Sequence, residues 1–254
     1  MQCSFSNIKF PTFKAALSES DLDKFQYAEQ HFSDCYLMST LDTLSHSSNG
    51  RKILKEQIEY DDSNPHKVNC YFYKKNGEKE KYSVPTNAVL KGYESVYKYQ
   101  PNELVRSIDI SVNEYEKTHK SKPWICRIAD TFNHYEFEKN MPSHFMQILT
   151  GIEPTVNIAE QDFNLDLNNY KAEVMELFKR MDKEKEHSLV IGTGVKMLDG
   201  RHWHVYVLED VNLDDNTVTI KNKRGNNVRT MNIDTALNTF KYIVGYFNED
   251  LKKN

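Results

Sequence analysis

Apolar positions along this chain recur at two different spacings, and the two occupy different halves. Leu37, Leu41 and Leu44 follow the helical period, so a helix is expected to start at or just before Cys35. Val174, Leu177, Phe178 and Met181 do the same within residues 173–185, with charges between them, as in an amphipathic helix showing a solvated face. Strand signals gather in the second half. Residues 188–191 form a short apolar run, 204–208 are rich in Val and Tyr, 217–220 read TVTI, and 241–247 are a further candidate. In the first half only residues 67–73 and 79–84 read as strands. Lys75-Asn76-Gly77 joins them as the tight turn of a hairpin. The polar stretches 59–65 and 113–122 look like linkers. Helices ahead and strands behind predict an α+β protein, a helical lobe packed on an antiparallel sheet with room for a cleft between them.

Composition narrows the function classes. The chain has 254 residues, 39% hydrophobic and 28% charged, enough to bury a sizeable core. A formal charge of −4 gives no general attraction to nucleic acid or anionic membrane. No stretch approaches the roughly 20 apolar residues of a membrane-spanning helix. Ser4, Asn7 and Lys9 interrupt the start of the chain, so no secretory leader is expected there. Its serines are compatible with an unfolded export signal, and equally with a plain disordered tail. The cysteines (Cys3, Cys35, Cys70, Cys126) form no CxxC pair, which argues against a disulfide framework or a structural zinc site. A reducing, cytoplasmic compartment is the simpler expectation, and it suits a protein that keeps a thiol.

Three segments carry candidate chemistry. Cys35 falls at a predicted helix start, after Ser33 and Asp34 as potential N-caps. There the positive end of the helix dipole favours thiolate over thiol. The plain alternative is one more buried small hydrophobe. In the strand around His204, alternation puts His202, His204 and Tyr206 on one face. Two histidines at that spacing could bind a metal, but no third ligand and no HExxH accompany them. A general base beside a thiol, or an ordinary core or surface histidine, are the other readings. Asn222 closes the TVTIKN strand, where an Asn serves turn geometry or, in a catalytic setting, orients an imidazole.

Cysteine at a helix start, a distant His on a strand and an Asn at the end of the next strand is the order Cys, His, Asn of papain-like enzymes. QHFSDCYLMSTLDTL resembles the calpain pattern in which Gln precedes a Gly-Asp-Cys-Trp/Tyr-Leu helix start. HVYVLEDVNLDDNTVTIKN is similar to that family's His-Ala-Tyr-x-Val strand and the following strand ending in Arg-Asn-Pro-Trp-Gly. Aligning Tyr206 with the family's Tyr selects His204 over His202. Weaker similarities at 51–58, 70–85, 123–135, 146–153 and 232–244 keep the same order, so the resemblance covers roughly residues 25–247.

The resemblance implies a papain-like cysteine protease fold. Residues 1–24 would precede the domain as a flexible segment. A helical lobe of about 25–150 would carry the nucleophile, a sheet lobe of about 151–247 would carry His and Asn, and 248–254 would trail as a tail. It implies a cysteine endopeptidase acting on a protein or peptide substrate, with Cys35 as nucleophile, His204 as base, Asn222 as orienter and Gln30 as oxyanion donor. A deamidase, transglutaminase or acyltransferase would pass through the same thioester, and a silent protease-fold binding module would use none of it. No cofactor or metal is implied, and without an EF-hand loop no calcium dependence is expected. A freestanding core of this size resembles a secreted bacterial or viral effector. Three departures stand out. Gln30 lies five residues before Cys35 where the family usually has six, Ser33 replaces Gly, and Asn-Pro-Trp-Gly reads Asn222-Lys223-Arg224-Gly225. The side chain of Gln30, and not of Gln26 or His31, is expected to reach the cleft.

Overall fold

The computed structural model describes residues 15–30, 35–88, 102–119, 142–159, 167–193 and 204–252. The chain is α+β with antiparallel sheets. Strand β1 (Ala15–Ala16) leads into helix α1 (Glu19–Tyr27), α2 (Cys35–His46) and α3 (Ser48–Gln57), then β2 (Ile58–Asp61), β3 (Asn64–Tyr73) and β4 (Lys79–Pro85). Helices α4 (Glu103–His119) and α5 (Pro142–Thr150) follow. Then come β5 (Val156–Ala159), α6 (Leu167–Lys183), β6 (His187–Thr193), β7 (Val205–Asn212), β8 (Thr217–Asn222) and β9 (Asn227–Asn232). Helix α7 (Ile233–Thr239), β10 (Phe240–Phe247) and a 3-10 turn (Asn248–Leu251) complete the described chain. Among the described residues, a four-stranded sheet runs β1-β2-β3-β4 and a six-stranded sheet runs β5-β10-β6-β7-β8-β9.

Local chemistry accounts for these elements. Ser18 caps α1 with a capping box: its Oγ accepts from Asp21 N at 3.2 Å and the Asp21 carboxylate accepts from Ser18 N at 3.1 Å. The expected hairpin is β3–β4, closed by Gly77 at a φ of 80° that favours glycine. Helix α6 buries Val174, Leu177, Phe178 and Met181 against the sheet, the face its periodicity predicted. Helix α2 departs from the amphipathic pattern, because every residue from Tyr36 to Ser45 is buried. Its hydroxyls therefore need partners inside. Ser39 Oγ donates to Val205 O at 3.2 Å, Thr43 Oγ1 to Leu189 O at 3.2 Å, and Ser45 Oγ to Asp42 O at 2.7 Å.

Two cores result. One gathers α1–α5, the four-stranded sheet and one face of the six-stranded sheet (Val190, Val205, Tyr242, Val244, Tyr246). The other lies on the opposite face beneath α6 and α7. The first core crosses the lobe boundary expected near residue 150, because α2 packs directly on β6 and β7.

Several expectations need correction. Residues 15–24 are folded into the body, with Leu17 and Leu22 buried, so the boundary at 25 falls inside α1. Beyond 247, Leu251 is buried too. The linker expected at 59–65 holds β2 and the start of β3. The buried Glu59 accepts there from Tyr71 Oη at 2.5 Å, so its charge hid a strand. The described part of 113–122 belongs to α4, whose Ile108, Val112 and Tyr115 face the core at helical spacing. Strands β1, β2 and β5 were missed, being short, and β9 was missed because it is almost wholly exposed. The helix expected at 123–135 lies outside the described residues. Among the described residues, no helix is long and apolar enough to cross a membrane.

Because α2 is enclosed, truncation at its centre leaves a cavity that cannot collapse. Leu41→Ala should lower the unfolding free energy by about 2–5 kcal/mol in urea titrations, whereas Val228→Thr on the exposed β9 should change it by less than about 0.5 kcal/mol.

Candidate active site

Cys35 is the first residue of α2 and is half-buried, whereas Cys70 is fully buried in β3 with its thiol pushed up to about 12 by burial. Cys3 and Cys126 lie outside the described residues, as do His31, Ser33, Asp34 and His202. His204 directly precedes β7, and Asn222 is the last residue of β8.

The structure brings His204 and Asn222 into contact. His204 Nε2 lies 2.8 Å from Asn222 Oδ1. Arg224 N, a backbone amide that can only donate, also reaches that atom at 2.9 Å. The shared atom must therefore be the amide oxygen, and His204 Nε2 must carry the proton. Nδ1 is then the nitrogen that holds the lone pair and can accept a proton. The backbone of His204 is clamped as well. His204 N donates to Thr193 Oγ1 at 3.1 Å, and Thr193 N donates to His204 O at 3.0 Å. The Tyr206 ring meets the imidazole edge-on at 4.6 Å, on the face that strand alternation predicted.

Helix α2 is bonded to the strand that follows His204. Ser39, one turn after Cys35, donates to the carbonyl of Val205, the neighbour of His204. Tyr242 on β10 occupies the same region. Its phenol is raised above the ordinary range chiefly by burial, with the charge of Cys35 adding to it. The ring lies where a side chain on Gly192 would sit, since a Cβ there would meet it at 1.9 Å. Gly192 pairs in register with both Tyr242 and Val205. The glycine thus lets the tyrosine lie flat on the sheet near Cys35.

Gln30 lies between α1 and α2, and its N–H donates to Lys223 O at 2.8 Å. Its amide oxygen Oε1 is shut away from solvent. Gln26 is placed elsewhere. Its Nε2 reaches Ser45 O at 3.5 Å, at the far end of α2 and about 15 Å along the helix from Cys35.

Beneath these residues sits a charge cluster that sequence reasoning did not single out. Asp42, fully buried in α2, lies 2.5 Å from Lys223 Nζ, 3.0 Å from Lys221 Nζ and 2.8 Å from His46 Nε2. Burial works hardest against its ionised form, yet His46, Lys223 and Lys221 together outweigh that, and the carboxyl is held below its ordinary value. Lys223 is pushed down by burial against the pull of Asp42. An acidic residue inside the Leu37, Leu41, Leu44 stripe, with lysines two apart around Asn222, was the available signal.

No family model and no curated protein matches the chain. The site must be judged on its own chemistry. Among the described residues no group of three or more His, Cys, Asp or Glu side chains could hold a metal ion.

Two outcomes are expected. In ¹⁵N-histidine NMR spectra, His204 Nε2 should keep its proton across the titration while Nδ1 alone changes state; an Nδ1–H tautomer would contradict the assignment. A depressed carboxyl stabilises the fold fully above its unfolded value near 4, and that contribution disappears as the pH falls through the lower folded value. Urea midpoints of the parent protein should therefore fall in acid, and less steeply in Asp42→Asn, which starts lower at neutral pH.

Proposed function

We propose that this chain is a cysteine endopeptidase of papain-like fold, acting on protein or peptide substrates in a reducing compartment. One observation carries the reading. The His204 imidazole is fixed by Asn222 as the Nε2–H tautomer, and the strand it opens is bonded to the helix that begins with Cys35. A thiol, a base with its lone pair on Nδ1 and an amide that orients the base are the parts acyl transfer requires. The helix N-terminus favours negative charge on the sulfur.

In this reading the Cys35 sulfur, its proton passed to His204, attacks the substrate carbonyl carbon. The C–N bond breaks as His204 gives that proton to the leaving amine, and a thioester remains. Water then attacks the thioester carbon while His204 takes its proton. The C–S bond breaks, the proton on His204 returns to the Cys35 sulfur, and the acid leaves. Gln30, with the Cys35 backbone amide, donates to the oxyanion formed in each half.

The test has two arms. An epoxysuccinyl probe should modify Cys35 in the folded protein, and incubation with casein should create new amino termini detectable by mass spectrometry. Cys35→Ala and His204→Ala should each abolish casein cleavage, since members of such a unit fail together. Asn222→Ala should retain residual activity. Gln30→Ala should lower turnover by about 10²-fold, with a smaller effect on KM. Parental activity in Cys35→Ala would sink the reading, and ammonia release without new amino termini would move it to deamidation.

A further inference from the structure

We propose that Lys223 is the positioning residue for the oxyanion donor: it tethers the Gln30 segment at both ends and joins it to the strand end that carries Asn222. This rests on the acyl-transfer reading above. Lys223 is fully buried, an unusual state for a lysine. Its ammonium has three donors, and the structure supplies three acceptors: Phe25 O at 3.1 Å, Gln26 O at 2.9 Å and Asp42 Oδ2 at 2.5 Å.

The two carbonyls belong to the last turn of α1, where a helix leaves its acceptors without internal partners and a cation is favoured. Lys221 supports the same point from two residues upstream, donating to Gln26 O at 2.7 Å. The other end of the segment is held by the same residue's backbone, since Gln30 N donates to Lys223 O. Asn226 adds a hold between them, donating to Tyr27 O at 2.7 Å. The chain from α1 to Gln30 is thus pinned at 25–26 and at 30 by one residue, the immediate neighbour of Asn222. Asp42 extends the tether to α2, two turns below Cys35. Donor, orienter and nucleophile helix are referenced to one buried ion pair.

The experiment uses the full chain and p-nitrophenyl acetate, whose acetyl group needs no specificity pocket. Lys223→Met alone leaves Asp42 buried with less compensation, which puts folding at risk, so the principal variant is Lys223→Met with Asp42→Asn. That pair should lower kcat about tenfold or more with KM within about threefold, as for a lost transition-state donor. The pH profile of Cys35 alkylation by iodoacetamide should not move. Gln30 amide hydrogen exchange should accelerate. In a Gln30→Ala background the same pair of substitutions should cost less than about threefold, because the two act through one donor. Lys223→Arg should recover part of the loss.

Parental kcat in the folded pair variant overturns the proposal, as does a full additive loss in Gln30→Ala or a shifted alkylation profile. If the pair does not fold, Lys223→Arg decides instead. Its partial loss should vanish in Gln30→Ala, and an equal loss in both backgrounds overturns the tether. A parent protein that forms no acetyl-Cys35 overturns the acyl-transfer reading, whereas unchanged Gln30 exchange in a folded pair variant overturns the tether whatever the parent does.

Discussion

Asp42 carries a carboxylate into a helix whose neighbouring residues are all closed to water. An isolated charge there would cost far more than the net stability of a domain, so it must be met by cations inside the protein. Lys221 reaches it from the end of β8 and Lys223 from the first residue after that strand. Satisfying one charge therefore fixes the depth of α2, the end of β8 and the exit of α1 together. A buried pair of this kind adds little net stability over a well-packed apolar replacement. What it supplies is one arrangement of three segments distant in sequence.

Much of the α+β layout was legible in the sequence because its elements carry clean periods. The helix from Cys35, the helix around Phe178 and the strands at 188, 204, 217 and 241 each present apolar residues at one spacing. What escaped had its signal masked by charge or length. Glu59 made β2 look like linker, although Tyr71 and Asn69 meet its carboxylate. Strand β9 is almost wholly exposed, so no apolar face announces it, and it is held by its ladder to β8. The site residues were legible as types in an order, Cys then His then Asn. Their partners were not, because Thr193, Arg224 and Lys223 act mainly through backbone atoms or a buried ammonium that no local pattern marks.

The chain leaving α1 is held at two points before it reaches α2. The chain leaves α1 at Tyr27, and by Gln30 its amide is already bonded to Lys223 O. A short connector with both ends anchored has little freedom, so its length matters less than where the anchors stand. Gln26 differs in kind: its carbonyl takes both lysines and its side chain turns toward Ser45.

The polar replacement after Asn222 changes how the imidazole is held. In the resembled family an apolar tryptophan shields the His–Asn bond, while this chain places the exposed Arg224 at that position. A hydrogen bond open to water contributes less, because water competes for both partners. Here the amide oxygen accepts from two sides, His204 Nε2 and the Arg224 backbone, and the second donor cannot change role. Rotating the amide to offer its NH₂ group would break both bonds and set a donor against the Arg224 amide. Thr193 holds the histidine backbone from the other side, and the Tyr206 ring braces the imidazole edge-on. Orientation in this site thus follows from backbone geometry around one oxygen atom, with exclusion of water a smaller part of it.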